Sequence, residues 1–213
     1  MATKLVACIN YYNDMPLIKD CVESIYQQVD RIIVVDGKYR DFPTSAWYST
    51  DGTLEYLSSL NKVEIVFAAN LFEAAKRNVY MDMLDSGDTV LILDADEYVE
   101  GKVRKLDSNI DIGLVYLGDP QTKYRRLATR YFKYRKGLRH GDIHFILEID
   151  GNWFNNRCHA LNGFKERNIN TFKINHLWKK RNVVRKEQKV LYRMSARARE
   201  SQYKIASYEI GDK

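Results

Sequence analysis

Strand-like and helix-like segments alternate through the first 93 residues, and this alternation constrains the fold more than any other feature. Lys4 to Asn10 is a short apolar run ending in polar residues, and Leu17, Ile18, Cys21, Val22 and Ile25 then recur at helical spacing after Pro16. Arg31-Ile-Ile-Val-Val-Asp36-Gly37 is a β-branched run cut off by Asp-Gly, the pattern of a fully buried strand that releases a loop at its carboxyl end. The grammar repeats: a helix start at Ser49 to Glu55 before Leu54, Leu57 and Leu60, a strand over Val63 to Phe67, a helix over Leu71 to Leu84 and a strand over Asp88 to Leu93. Connections this short leave room only for crossover helices, so the prediction is a mainly parallel sheet with helices on both faces. Ligands then belong at the carboxyl ends of the strands. Polar clusters sit there: Asn10 to Asp14, Asp36-Gly37, Ala69-Asn70 and Asp94-Ala-Asp96-Glu97.

After residue 100 aromatic and basic residues alternate in Tyr124 to Tyr134 and in Leu138 to Ile149, which predicts antiparallel strands. Asn168 to Asn175 adds a strand ending in His176-Leu-Trp178, and Asn182 to Lys204 reads as a basic amphipathic helix. No linker or repeat divides the 213 residues, so a single domain is expected over 1–213, with halves 1–100 and 101–213. Charge splits along the same line. Residues 1–100 hold 8 Lys and Arg against 17 Asp and Glu, a net of −9, so at a total of +6 the remainder carries +15. Such a split suits a nucleic-acid binder, or a cation site facing a surface that receives phosphates. The longest aliphatic stretches, Ile32 to Val35 and Val90 to Leu93, fall far short of the roughly 18 residues of a membrane span. Leu5 to Ile9 is too short for a signal-peptide core, and Cys8, Cys21 and Cys158 cannot all pair internally, so the cytoplasm is the expected compartment.

Asp94-Ala-Asp96 follows an apolar strand, and an extended continuation puts both carboxylates on one side, beyond the sheet. Hard oxygen ligands suit Mg²⁺ or Mn²⁺. Clustered carboxylates repel one another unless a metal ion or cationic side chains offset them, and the competing reading is a pair of solvated turn aspartates.

Five motifs then occur in a recognisable order: Asn10-Tyr-Tyr-Asn-Asp14, Ile33-Val-Val-Asp36-Gly37, Ser49-Thr-Asp-Gly-Thr53, Lys76-Arg77-Asn78 and Leu93-Asp-Ala-Asp-Glu97. Over residues 4–100 the chain resembles family 2 glycosyltransferases of the GT-A fold. Further on, the likeness is carried by Arg130-Tyr-Phe, His144, Asn175-His176, Arg185 and Lys189. The resemblance implies a GT-A (Rossmann-like) α/β fold: a mixed, mainly parallel central sheet flanked by helices, a smaller antiparallel acceptor-side portion and a C-terminal amphipathic helix. It also implies transfer of a sugar, with inversion, from a UDP- or GDP-sugar to a glycan, lipid or protein acceptor. Asn10, Tyr12 and Asp36 would hold the base and ribose, Arg77 would sit near the base or diphosphate, and Asp94 would reach ribose or metal. Asp96 would ligate the Mn²⁺ or Mg²⁺ ion, with His176 completing its shell or touching the diphosphate; the competing reading packs His176 on Trp178.

Inverting transfer needs a general base. The resembling subgroup often has Glu after the histidine matched by His144, but this chain has Phe145. Asp142 is the candidate because a strand would place it on the face of His144, with Glu148 in reserve; an ordinary turn aspartate after Gly141 is the alternative. Lys38 to Tyr48 is a long aromatic loop, suited to a lid or an acceptor grip, or else packed on its own rings. The basic residues Arg125, Arg126, Arg130, Lys133, Arg135, Lys136 and Arg139 suit a nucleic-acid surface or a solvated strand face. Lys179 to Lys189 suits a diphosphate, an anionic lipid or peripheral contact with a membrane. No specific nucleic-acid partner is expected. The alternative functions are a nucleic-acid-binding module, a nucleotidyltransferase and an inactive scaffold.

Overall fold

The computed structural model describes residues 2–119, 125–141, 147–149, 152–154 and 164–177. Asp142, His144, Phe145, Cys158, Trp178 and the amphipathic segment 182–204 lie outside these. The first half follows the predicted order: β1 (Leu5–Tyr11), α1 (Leu17–Ile25), β2 (Arg31–Asp36), α2 (Thr53–Ser58), β3 (Val63–Phe67), α3 (Glu73–Met81) and β4 (Thr89–Asp94). The third helix is shorter than its apolar pattern because the Leu71 carbonyl accepts the Arg40 N–H and the backbone there bridges to Tyr39. Then come β5 (Glu97–Gly101), β6 (Ile112–Gly118), β7 (Arg125–Lys133), β8 (Arg139–His140), β9 (Leu147–Ile149), β10 (Asn152–Phe154) and β11 (Glu166–His176).

Eight strands form one sheet in the order β3-β2-β1-β4-β7-β6-β11-β5. All run in one direction except β7 and β5. This is a mixed, mainly parallel α/β sheet, consistent with the expected Rossmann-like GT-A fold. The expected smaller antiparallel portion is present as a second sheet of β8, β9 and β10, while β5, β6, β7 and β11 extend the central sheet. The expected strand over Leu138 to Ile149 is present as β8 and β9, and β5, β6 and β10 were not anticipated.

The strand β1 is buried along its whole length because helices cover both faces. Leu5, Ala7, Ile9 and Tyr11 pack with Ile18, Cys21, Val22 and Ile25 of α1, while Val6 and Cys8 pack with Tyr80 and Met81 of α3. No helix among the described residues is long and apolar enough to cross a membrane.

Candidate functional site

Beyond β1 the chain lays down β2 and β3 on one side and then returns to place β4 on the other, so the strand order reverses between β1 and β4. A crevice at such a reversal is where open α/β sheets bind ligands. Asn10 stands opposite Asp94 across it, in register. Paired residues of parallel neighbours share a face, here the face of Val6, Cys8, Val90 and Ile92 under α3. Asn10 is 3% exposed, and neither atom of its carboxamide has a hydrogen-bond partner. Leaving a buried amide unsatisfied costs about 1–3 kcal/mol, so this one is suited to a polar ligand that both donates and accepts.

Asp94 gives one oxygen to each of two buried arginines. Arg77 Nη2 donates to Oδ1 at 2.6 Å, and Arg130 Nη2 donates to Oδ2 at 3.2 Å. Arg77 also bonds Glu73 at 3.0 Å and Arg130 bonds Glu97 at 3.4 Å, so the charges alternate from Glu73 to Glu97. Burial works against the Arg77 charge, but Asp94, Tyr80, Glu73 and Tyr39 together outweigh it and hold its pKa well above the ordinary value. Glu97 is pushed up to about 7, chiefly by burial, with Arg130 opposing. Its Oε2 accepts the Asp94 N–H at 2.8 Å.

The two aspartates do not share a side as an extended segment would require. The chain turns at Ala95 and Asp96, sending Asp96 to a different partner. Its Oδ2 lies 3.2 Å from His176 Nε2, and its carbonyl accepts the Leu177 N–H at 2.6 Å. Antiparallel pairing of β11 with β5 sets His176 opposite Glu97 and so delivers the imidazole. Among the described residues no group of three or more His, Cys, Asp or Glu forms a metal cage. A hard oxygen and an imidazole nitrogen at this spacing still fit neighbouring positions on an octahedral ion, whose ligands at about 2.1 Å sit about 3 Å apart. Mg²⁺ sites take one or two carboxylates and leave the rest to water and substrate phosphates, so Asp96 suits either ion and the imidazole suits Mn²⁺ better.

At the ends of β1 and β2, Asp36 is fully buried and accepts the Ser49 N–H at 3.0 Å and the Ser49 hydroxyl at 2.7 Å. Burial raises its pKa, with the Ser49 bonds opposing. The Tyr12 hydroxyl donates to the Ala46 carbonyl at 2.7 Å, so both residues frame the loop from 38 to 50. Lys76, also fully buried, donates to the carbonyls of Tyr11 and Gly37, joining the two strand ends, and lies 4.6 Å from the Tyr39 ring centroid.

The structure therefore gathers Arg77 and Asp94, with Asn10 in register beside Asp94, and pairs Asp96 with His176. It sets Tyr12 and Asp36 under the adjoining loop. Glu148 lies on β9, opposite Arg139 and Trp153. Of the basic strip, Arg130 turns inward, Arg135 pairs with Asp111, Arg139 pairs with Asp82 and Lys133 donates to the Asp107 carbonyl. Sequence reasoning gave no role to Glu97, Tyr80 or His140. The one available signal was Glu97, a third acid in the strand-end cluster.

Comparison with known proteins gives similarity of backbone only. No protein-family model matches the chain, and no curated protein matches it. Similar solved structures are those of S. aureus TarS. One has a TM-score of 0.44 and 22% identity over 57% of this chain and 23% of the other. TarS 1–349 has a TM-score of 0.43 and 21% identity over 58% of this chain, both by itself and in complex with UDP-GlcNAc. The chain spans 23% to 39% of the length of these solved chains.

Proposed function

We propose that the chain binds a UDP- or GDP-sugar in the crevice between β1 and β4 and transfers the sugar, with inversion, to a glycan, lipid or protein acceptor. The observation that carries this reading is the unpaired, buried Asn10 carboxamide in register with Asp94, which is itself gripped by two guanidiniums. The ordered strand-end motifs support it. In this reading Asn10 reads a polar edge of the nucleotide, and Asp94, held still by Arg77 and Arg130, accepts hydrogen bonds from donor hydroxyls. Tyr12 and Asp36 fix the loop that borders the base.

Asp96 and His176 are the residues that would hold Mn²⁺ or Mg²⁺. Bound there, the ion supplies Lewis-acid compensation for charge on a diphosphate. The proton of the acceptor hydroxyl is assigned to Asp142, which lies outside the described residues.

The test is a screen of UDP- and GDP-sugars with Mn²⁺ or Mg²⁺, measuring nucleoside diphosphate release. Release from one donor, abolished by Asn10→Ala and by Asp96→Ala, is the expected result. Pyrophosphate as the product would instead identify a nucleotidyltransferase. Salt-sensitive nucleic-acid binding that persists in both variants, without any turnover, would overturn the reading.

A further inference from the structure

Five large apolar side chains are strongly exposed among the described residues, and four of them lie at one edge of the sheet: Trp47 at 55%, Tyr48 at 42%, Phe67 at 52% and Phe72 at 39%. Scattered exposed rings need no explanation, but a cluster does. The backbone holds this one together. Beyond the ends of β2 and β3 the two chains stay side by side, with the Asn70 N–H donating to the Lys38 carbonyl at 2.8 Å and the Arg40 N–H to the Leu71 carbonyl at 2.9 Å. The Lys38 N–H meets the Trp47 carbonyl at 2.8 Å, which folds the loop back onto this extension. Tyr48 and Phe67 then meet edge to face, with centroids 5.3 Å apart and planes at 80°.

Two cations lie on these rings. Lys38 Nζ is 5.4 Å from the Trp47 centroid, and the Arg40 guanidinium is 4.8 Å from that of Phe72. They stand out because residues 1–100 carry a net charge of −9. The loop is also anchored to Asp36 and Tyr12, which are assigned to the donor site, and to the neighbouring Asn13. Ser49 bonds Asp36, the Thr50 N–H donates to Asn13 Oδ1 at 2.7 Å, and Tyr12 bonds Ala46.

We infer that this corner of rings is a docking surface for a carbohydrate chain bearing phosphate or carboxylate groups, the acceptor of the proposed transfer. Aromatic faces stack on the C–H faces of sugar rings, and Lys38 and Arg40 complement the negative groups. Two rings set nearly perpendicular make a corner that grips one sugar unit, whereas insertion into a lipid interface is served by ring tips lying in one plane. The inference rests on the sugar-transfer reading, of which it specifies the acceptor class.

The test uses the full chain and calorimetric titration with oligogalacturonate, a phosphorylated mannan oligosaccharide and a neutral maltodextrin of similar length. At least one charged oligomer is expected to bind at least tenfold more tightly than the neutral one. Trp47→Ala and Phe67→Ala should each weaken that binding at least fivefold, and Arg40→Ala should erase the charge preference. UDP affinity should stay within twofold in all three variants, which also reports that they are folded. Equal binding by wild type and Trp47→Ala, or no binding of either charged oligomer, overturns the inference. So does binding to phosphatidylglycerol vesicles that these variants abolish when no oligosaccharide binds. If the wild type binds no nucleotide, the donor reading fails by itself while the oligosaccharide result still decides the surface.

Discussion

Arg130 of β7 reaches across to the end of β4 and meets Asp94 at 3.2 Å, on the carboxylate oxygen that Arg77 leaves open. The same Nη2 lies 3.4 Å from Glu97, whose side chain is 1% exposed. One buried cation thus serves two acids on either side of a tight turn, and the fully buried Glu97 has no water as an easy substitute.

Arg130→Met removes that charge and leaves Asp94 and Glu97 facing each other. The expected loss is about 3–5 kcal/mol of unfolding free energy, the usual result of breaking a buried pair from one side. Arg130→Lys keeps the charge but not the fork, and should lose less than the Met variant. Urea denaturation of both measures this. A Met variant within 1 kcal/mol of wild type would show that Arg130 is not what holds the turn.

Glu97 makes stability depend on pH in a defined direction. Its pKa is about 7 in the folded chain against an ordinary 4.5, so between these values the folded state keeps a proton that the unfolded state releases. Stability from this group is therefore complete below pH 4.5, falls as pH rises through the window, and is flat above about 7. Glu97→Gln cannot ionise. The difference in unfolding free energy between variant and wild type should grow in favour of the variant from pH 4.5 to 7 and then level off. A difference independent of pH across that window would mean Glu97 is already ionised at the lower end.

The first half of the fold was legible because each strand there is a β-branched run ended by polar residues, and each helix carries its own apolar stripe. The second half was legible in part: β7, β8 with β9, and β11 fall on predicted strands, but β5, β6 and β10 do not. The strand β6 contains Gly113, where an added Cβ would lie 2.7 Å from the Tyr131 ring and 2.8 Å from Ile169. Its packing thus depends on partners 18 and 56 residues away, which no local period reports. At the site, the Asp-x-Asp spacing was visible but the turn that separates the two carboxylates was not, since Ala95 carries no turn signal. Arg130 was readable as part of a basic strip and of the Arg130-Tyr-Phe likeness, but nothing local marks it as the residue that turns inward.

Two glycines, Gly37 after β2 and Gly52 before α2, should respond differently to the same change. Gly37 has φ +139°, and a Cβ there would sit 2.5 Å from the Ala68 carbonyl oxygen and 2.7 Å from Ala69 Cα. Gly52 has φ +86° with nothing within 4 Å of an added Cβ. Gly52→Ala then carries only the left-handed backbone penalty of about 1–2 kcal/mol. Gly37→Ala adds a backbone collision and should cost clearly more, because the β2–β3 extension that positions Lys38 has to separate. Thermal melts of the pair test the order, and equal losses would contradict the close approach at Gly37.

His140 should be a neutral imidazole in its less common tautomer. Arg77 Nη1 is an obligate donor 3.4 Å from the Tyr80 hydroxyl, which leaves that hydroxyl to donate its own proton to His140 Nε2 at 3.2 Å. With Nε2 accepting, the ring proton belongs on Nδ1, which is buried and has no partner. Burial lowers the His140 pKa well below 6.5, and Arg77 and Arg130 lower it further. The backbone on either side of the ring is clamped by Asn78, which donates to the His140 carbonyl at 2.9 Å and accepts its N–H at 2.7 Å. Long-range ¹H–¹⁵N correlation spectra should therefore show a protonated Nδ1 and an unprotonated Nε2 that do not titrate between pH 8 and about 6. In Tyr80→Phe, Nε2 loses its donor and the tautomer should shift toward Nε2–H. A protonated Nε2 in the wild type would instead require the Tyr80 hydroxyl to accept from both His140 and Arg77, leaving its own proton without an acceptor inside the core.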